Sequence, residues 1–335
     1  MPRDLSGEFA GRSVLITGGL GFIGSNLARA LVRLGSRVLI VDSLIPEYGG
    51  RRDNVDDIRD QVLVNLSDVR DEHSLRHLVA GHDFLFNLAG QTSHIDSMTN
   101  PRTDLEINCQ AQLSILEACR RHNPAVKIIF ASTRQIYGRP RYLPVDESHP
   151  IVPVDINGIN KTAGEWYHLL YGQVYGLRVS VLRLTNTYGP RMRVRDARQT
   201  FLGYWLRMAI EGNEISVFGD GRQLRDFNYV DDVVHAFLLA AADERADGRV
   251  YNLGGEEVIA LADLAELLVS LAGAGEYRIV PFPSDRKAID IGDYYADASL
   301  IRSELGWIPR IGLEEGLARS VAFLRDNLHR YVDES

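Results

Sequence analysis

The sequence predicts an α/β protein: a doubly wound parallel sheet followed by a smaller C-terminal α/β lobe that binds substrate. Three observations carry this. Short apolar runs alternate with helical patterns through the first half of the chain, as strands buried on both faces do. A glycine-rich turn, Gly18-Gly19-Leu20-Gly21-Phe22-Ile23-Gly24, joins the first apolar run to the first helix. An acid, Asp42, ends the next apolar run, eighteen residues beyond the last of those glycines.

The elements follow in order. A first strand is expected at 13–16, a helix at 25–34 ending at Gly35, and a second strand at 37–42. A third strand at 62–65, a helix at 72–80 and a fourth strand at 84–88 continue the alternation. Asn100-Pro101 opens a long helix to about residue 122, and 127–130 is a fifth strand. Residues 140–153, rich in proline and charge, read as loop. A helix at 158–175 and a sixth strand at 179–183 complete the pattern. After Asn186 it loosens, with helices expected near 199–211, 230–243, 261–273 and 313–328 and strands near 215–217, 250–253 and 278–280. The expected division is a dinucleotide-binding domain over 1–186 and a second lobe over 187–335, with 222–235 returning to the first.

A chain of 335 residues supports a large core without disulfide or metal staples. Its formal charge of −8 argues against nucleic-acid or membrane-surface binding, which call for a basic face. Cys109 and Cys119 fall in one predicted helix, ten residues apart. That spacing spans about 15 Å, beyond the reach of a disulfide. No apolar run approaches the ~18 residues of a membrane span, and the N-terminus carries no signal-like segment, so a cytoplasmic protein is expected.

The glycine turn gains force from its setting between a strand and a helix. Gly18 permits the tight turn, Gly21 lets backbone approach a pyrophosphate, and Gly24 lets the helix pack close. Phe22 and Ile23 stand at the helix N-terminus, where positive partial charge favours phosphate. Asp42 is placed to accept hydrogen bonds from ribose hydroxyls and to repel a 2′-phosphate, which favours NAD over NADP.

The glycine spacing, as Thr17-Gly18-Gly19-Leu20-Gly21-Phe22-Ile23-Gly24, resembles that of the extended short-chain dehydrogenase/reductase family. These are Rossmann-type, NAD-dependent nucleotide-sugar epimerases, dehydratases and decarboxylases. The resemblance continues through Ser67-Asp68-Val69-Arg70, Asn87-Leu88-Ala89-Gly90-Gln91, Ser132-Thr133, Ile136-Tyr137-Gly138 and residues 184–191, 219–227 and 229–232. It implies that Asp68 and Val69 hold the adenine and that Leu88, Ala89 and Gly90 line the cofactor cleft. It implies that Lys161 binds the nicotinamide ribose, that Asn186, Arg191 and Arg225 meet a nucleotide-sugar diphosphate, and that Gln199 and Phe218 flank its base. For the arginines the chemistry agrees, since a guanidinium clamps a diphosphate in bidentate fashion. The resemblance also implies a homodimer, paired through the helices around 103–122 and 158–175.

In that family a tyrosinate accepts the sugar hydroxyl's proton, a lysine four residues on lowers its pKa, and a Ser or Thr hydroxyl binds the same oxygen. Thr133 and Lys161 occupy two of the three positions; Asn157 occupies the tyrosine's. An amide does not titrate, and losing a general base costs about 10²–10⁴ in rate. Asp155 is the nearest acid and reads as a helix cap or loop carboxylate. His94, on the loop after the fourth strand, is a candidate substitute base and equally a polar loop residue. Arg134 follows Thr133 where dehydratases and decarboxylases of the family resemble acid-containing patterns; it suits a carboxylated sugar if it points inward.

Three readings follow. The first is NAD-dependent epimerisation of a nucleotide-diphosphate sugar through a transient keto intermediate. The second is decarboxylation, dehydration or dehydrogenation with an altered base. The third is a non-catalytic NAD and nucleotide-sugar binder, or an inactivated variant. No metal is expected in any of them.

Overall fold

The computed structural model describes residues 4–332. Its centre is a seven-stranded sheet in the order Val250–Leu253, Arg178–Leu184, Lys127–Thr133, Phe84–Asn87, Ser13–Thr17, Arg37–Val41, Val62–Asn65. All six pairings are parallel. The chain order reverses between Ser13–Thr17 and Phe84–Asn87, which makes their C-terminal ends the switch point where such sheets bind ligands.

Both faces are covered, which is why the strands are apolar runs rather than alternating ones. On one face helices Phe22–Arg33 and Val230–Ala242 pack with Phe86, Ile129, Leu182, Ile301 and Trp307. On the other, helices Glu72–Leu78, Ala111–His122 and Ile156–Tyr175 cover Leu15, Ile128, Phe130 and Val181. A separate core joins Trp205, Leu206, Ile215, Leu264, Leu268, Leu317 and Leu324 behind two small sheets. The seven-stranded parallel sheet with smaller C-terminal sheets is the α/β architecture expected. Strand Val250–Leu253 returns to the main sheet, and so does helix Val230–Ala242.

Two local differences matter for the site. The long helix expected from Asn100 is three segments: Pro101–Leu105, a π-turn at Glu106–Gln110, and Ala111–His122. The wide turn leaves room for the Asn108 amide to reach the Gln91 carbonyl at 2.8 Å and for the Gln112 amide to reach the Ile107 carbonyl at 2.9 Å. Residue 94 is not in loop but opens a short helix, His94–Thr99, capped by the Ser93 hydroxyl on the Asp96 N–H.

A buried polar network ties the strand carrying Thr133 to the helix carrying Lys161. Glu165 accepts from Ser132 Oγ at 2.6 Å and pairs with Arg183 at 2.5 Å; Arg183 in turn donates to the Tyr137 hydroxyl at 2.6 Å. Deleting one partner of so buried a pair costs about 3–5 kcal/mol, so this network holds the two elements in fixed relation. Among the described residues no helix is long and apolar enough to cross a membrane, and no cluster of metal-binding side chains occurs.

Candidate active site

One cleft lies over the C-terminal ends of the central strands, and the turn after Ser13–Thr17 forms its floor. Gly18 has φ +69°, the left-handed region, and a Cβ there would meet the Ala89 backbone at 3.0 Å. A Cβ on Gly24 would collide with the backbone of Gly18 and Gly19, so the helix is seated directly on the turn. Above Gly21 the space is open: a Cβ would meet only the Gly18 carbonyl, at 3.2 Å. Helix Phe22–Arg33 has no side-chain cap at its N-terminus. An open surface of backbone facing an uncapped helix end fits a pyrophosphate.

Asp42 lies in the cleft wall and already accepts from the Leu20 N–H at 3.0 Å and the Leu44 N–H at 2.9 Å. Burial pushes its carboxyl above the ordinary value, against those backbone donors. Asp68, Val69, Leu88, Ala89, Gly90, Phe22 and Ile23 also line the cleft. The Asp68 carboxylate is held by Arg70 at 2.7 Å, which keeps it below its usual range despite partial burial. These residues fit NAD.

Further along, Thr133, Arg134, Asn157, Lys161 and Asn186 line the same cleft. Lys161 is buried beside Gly90, where a Cβ would approach its Nζ to 2.7 Å. The ammonium donates to the Ala131 carbonyl at 3.3 Å and lies 5.2 Å from the Phe130 ring centre. Burial pulls it down to about 8, against the upward pull of Asp104. Thr133 Oγ1 accepts from the Gln135 N–H at 3.2 Å, so its own O–H is free to turn toward the cleft.

Asn157 is held as a structural donor. Its Nδ2 reaches the Gln91 carbonyl at 2.8 Å and Asp104 Oδ2 at 3.0 Å, and Asn160 donates to the other oxygen of Asp104 at 2.8 Å. His94, also in the cleft wall, places Nδ1 3.0 Å from Asp155 Oδ2. Asp155 caps helix Ile156–Tyr175, as the cap reading expected, and is buried rather than solvated. Arg134 points inward: Nη2 donates to Asn186 Oδ1 at 3.0 Å, while Nη1 is buried without a hydrogen-bond partner. Its guanidinium lies 5.2 Å from the Tyr294 ring centre, and burial lowers its pKa.

Gln199 lies in the cleft wall, but three other residues expected at the substrate lie outside it. Arg191 has φ +73° and donates to Asn26 Oδ1 at 3.0 Å, bridging helix Phe22–Arg33 to Phe323. Arg225 is buried, its guanidinium held by the Leu224 and Gly292 carbonyls. Phe218 packs against Phe282 in a tilted ring pair, under the Arg286 guanidinium. Sequence reasoning passed over Tyr48, Arg193 and Arg198, which line the cleft, and Asp104 and Asn108 behind it. Tyr48 ends a three-residue 3-10 helix, Pro46–Tyr48, and Arg198 sits in an irregular segment, neither within a motif, and Asp104 reads as an ordinary first-turn helix acid.

The model of the NAD dependent epimerase/dehydratase family matches residues 14–254. A dTDP-glucose 4,6-dehydratase of Streptomyces niveus is 32% identical, over 94% of this chain and 93% of that protein. UDP-glucuronic acid decarboxylase 1 of Xenopus tropicalis is 30% identical, over 96% of this chain and 74% of that protein. The crystal structure of UDP-glucose 4-epimerase from Thermotoga maritima, solved with UDP-glucose, superposes with a TM-score of 0.85 at 32% identity, covering 94% of this chain and 99% of that one. The relatives differ in the reaction their names give, and the family model spans most of the chain, which therefore belongs to the NAD dependent epimerase/dehydratase family.

Proposed function

We propose that this protein epimerises a nucleotide-diphosphate sugar, using NAD to oxidise one carbon and reduce it again on the other face. The observation that carries the reading is the continuity of one cleft from the Gly18 turn and Asp42, past Lys161, to Thr133, Arg134 and Asn186. NAD, when bound, supplies a hydride acceptor and donor. Asp42 holds the adenosine ribose, the Phe22 and Ile23 backbone holds the pyrophosphate, and Lys161 holds the nicotinamide ribose. Thr133 holds the reacting sugar oxygen. Arg134 and Gln135 follow it, so the acid pair that would drive water elimination is missing from this stretch. That favours epimerisation over dehydration.

A second reading, decarboxylation of a nucleotide-linked uronate, is favoured by the inward Arg134 with its unpaired Nη1. Either reaction on a uronate uses that cation to hold the carboxylate. The test is purified protein with a panel of UDP-, dTDP-, CDP- and GDP-sugars, neutral and uronic, with products read by mass and NMR. An epimer of unchanged mass is expected; loss of carbon dioxide selects the second reading, and no conversion across the panel contradicts both. Arg134→Gln is expected to cut kcat/KM for a uronate about 10²-fold or more, the scale of a lost charge-assisted bidentate pair.

A further inference from the structure

His94 and Asp155 come from different elements and meet in the cleft wall. His94 opens one helix and Asp155 caps another. The His94 Nδ1 is buried 3.0 Å from Asp155 Oδ2, a close ion-pair contact without the alignment of a hydrogen bond, and a third of the side chain, 33%, remains exposed. The exposed part of the side chain therefore lies away from Nδ1. Asp155 is itself fixed from behind: the Gly158 N–H donates to Oδ1 at 2.6 Å and the Gln135 amide to Oδ2 at 2.8 Å. Its carboxyl lies below the ordinary value; burial pushes it up, but His94 and the two donors outweigh that. A carboxylate facing Nδ1 keeps the proton of a neutral imidazole there and leaves Nε2 as an acceptor.

We propose that His94, oriented by Asp155, is the acid–base group of this cleft, filling the part that an amide at position 157 cannot. This rests on the epimerase reading above. Nε2 accepts the proton as the sugar O–H bond breaks; the C–H bond breaks with its electron pair leaving as hydride to the nicotinamide, and a C=O bond forms. On return, the hydride re-forms the C–H bond and the imidazolium gives the proton back to oxygen. Proton and electron pair both balance over the cycle. Asp155 is a positioning residue. The other titratable or charged groups sharing the wall are Asp42, Tyr48, Asp68, Arg134, Lys161, Arg193 and Arg198, with Asp96 on the histidine's own helix 4.0 Å from Arg198. Tyr48 is a poor alternative base: burial and then the charges of Asp96, Glu47 and Asp104 push its phenol up, opposite to what a tyrosinate needs.

Two readouts test this. In the cofactor-free protein, ¹⁵N NMR of the imidazoles is expected to show His94 as the Nδ1–H tautomer, and Asp155→Asn to shift it toward Nε2–H. In turnover, His94→Gln is expected to lower kcat by about 10²–10⁴ while NAD binding persists, and added imidazole to restore part of the rate in His94→Ala. An Nε2–H tautomer in the native protein would overturn the dyad. So would full turnover in His94→Gln, or a loss that follows Tyr48→Phe instead. If the native protein converts no sugar, the epimerase reading fails, and the tautomer measurement alone then decides whether the dyad exists.

Discussion

The Asn157 amide donates to the Asp104 carboxylate at 3.0 Å, and both side chains are buried, at 2% and 0% exposure. The residue four before Lys161 is thus spent on holding a buried charge. Asn157→Ala removes one of the two side-chain amides on that carboxylate and is expected to cost about 1–3 kcal/mol, read from urea unfolding. Asn157→Asp sets two carboxylates together, which raises the pKa of one of them in the folded state. Its stability relative to the native protein is therefore highest at low pH and falls as pH rises through the carboxyl range. A flat difference from the native protein between acid and neutral pH would contradict this.

Lys161 gives a pH test of opposite sign. Its folded pKa is about 8, below the ordinary 10.5, because burial penalises the ammonium. The unfolded chain holds that proton more tightly, so the penalty is full below about 8 and fades as pH rises toward about 10.5. Lys161→Met is expected to be more stable than the native protein at pH 7 by up to about 3 kcal/mol, with the gap closing by about pH 10. Paired denaturant melts at the two pH values check it. The same variant is expected to lose turnover.

Asp42 is expected to set cofactor choice. Its carboxylate faces the cleft while holding the Leu20 and Leu44 N–H groups. NAD should bind about tenfold or more tighter than NADP, a difference of about 1.4 kcal/mol, and Asp42→Asn should narrow that ratio. Titration calorimetry with each cofactor measures it. Equal affinities in the native protein would contradict the assignment.

Helix Ile156–Tyr175 leaves Ile159, Trp166, Leu170 and Val174 exposed along one side, with Leu105 and Met98 on neighbouring elements also exposed. A row of large apolar side chains at helical spacing fits a second copy of the same helix packed isologously. Leu170→Glu is expected to convert a dimer to monomers in sedimentation velocity. A monomeric native protein would contradict the pairing.

Much of the fold was legible because strand identity depends on local apolar runs, and each strand of the main sheet lies where such a run falls. What was not legible depends on long-range packing. The π-turn at Glu106–Gln110 accompanies the Asn108 amide's bond to the distant Gln91 carbonyl, which no periodicity reveals. Strand Val250–Leu253 reads as a short apolar run, and only pairing with Val181 to Leu184 puts it in the main sheet. In the site, the glycine turn announces itself by spacing, and Lys161 only through the family resemblance. The contact of His94 with Asp155 joins residues sixty-one positions apart and has no local signature. Arg191 and Arg225 have the right chemistry for a diphosphate, but the geometry commits their guanidiniums to protein partners.

In the proposed epimerisation, hydride leaves a sugar carbon and returns to it. A nucleotide sugar converted by the enzyme, prepared with deuterium on the carbon that inverts and incubated in ordinary water, tests this directly. The account predicts an epimer of unchanged mass with deuterium retained on that carbon. Deuterium washed out to solvent, or a product lighter by water or carbon dioxide, would contradict it.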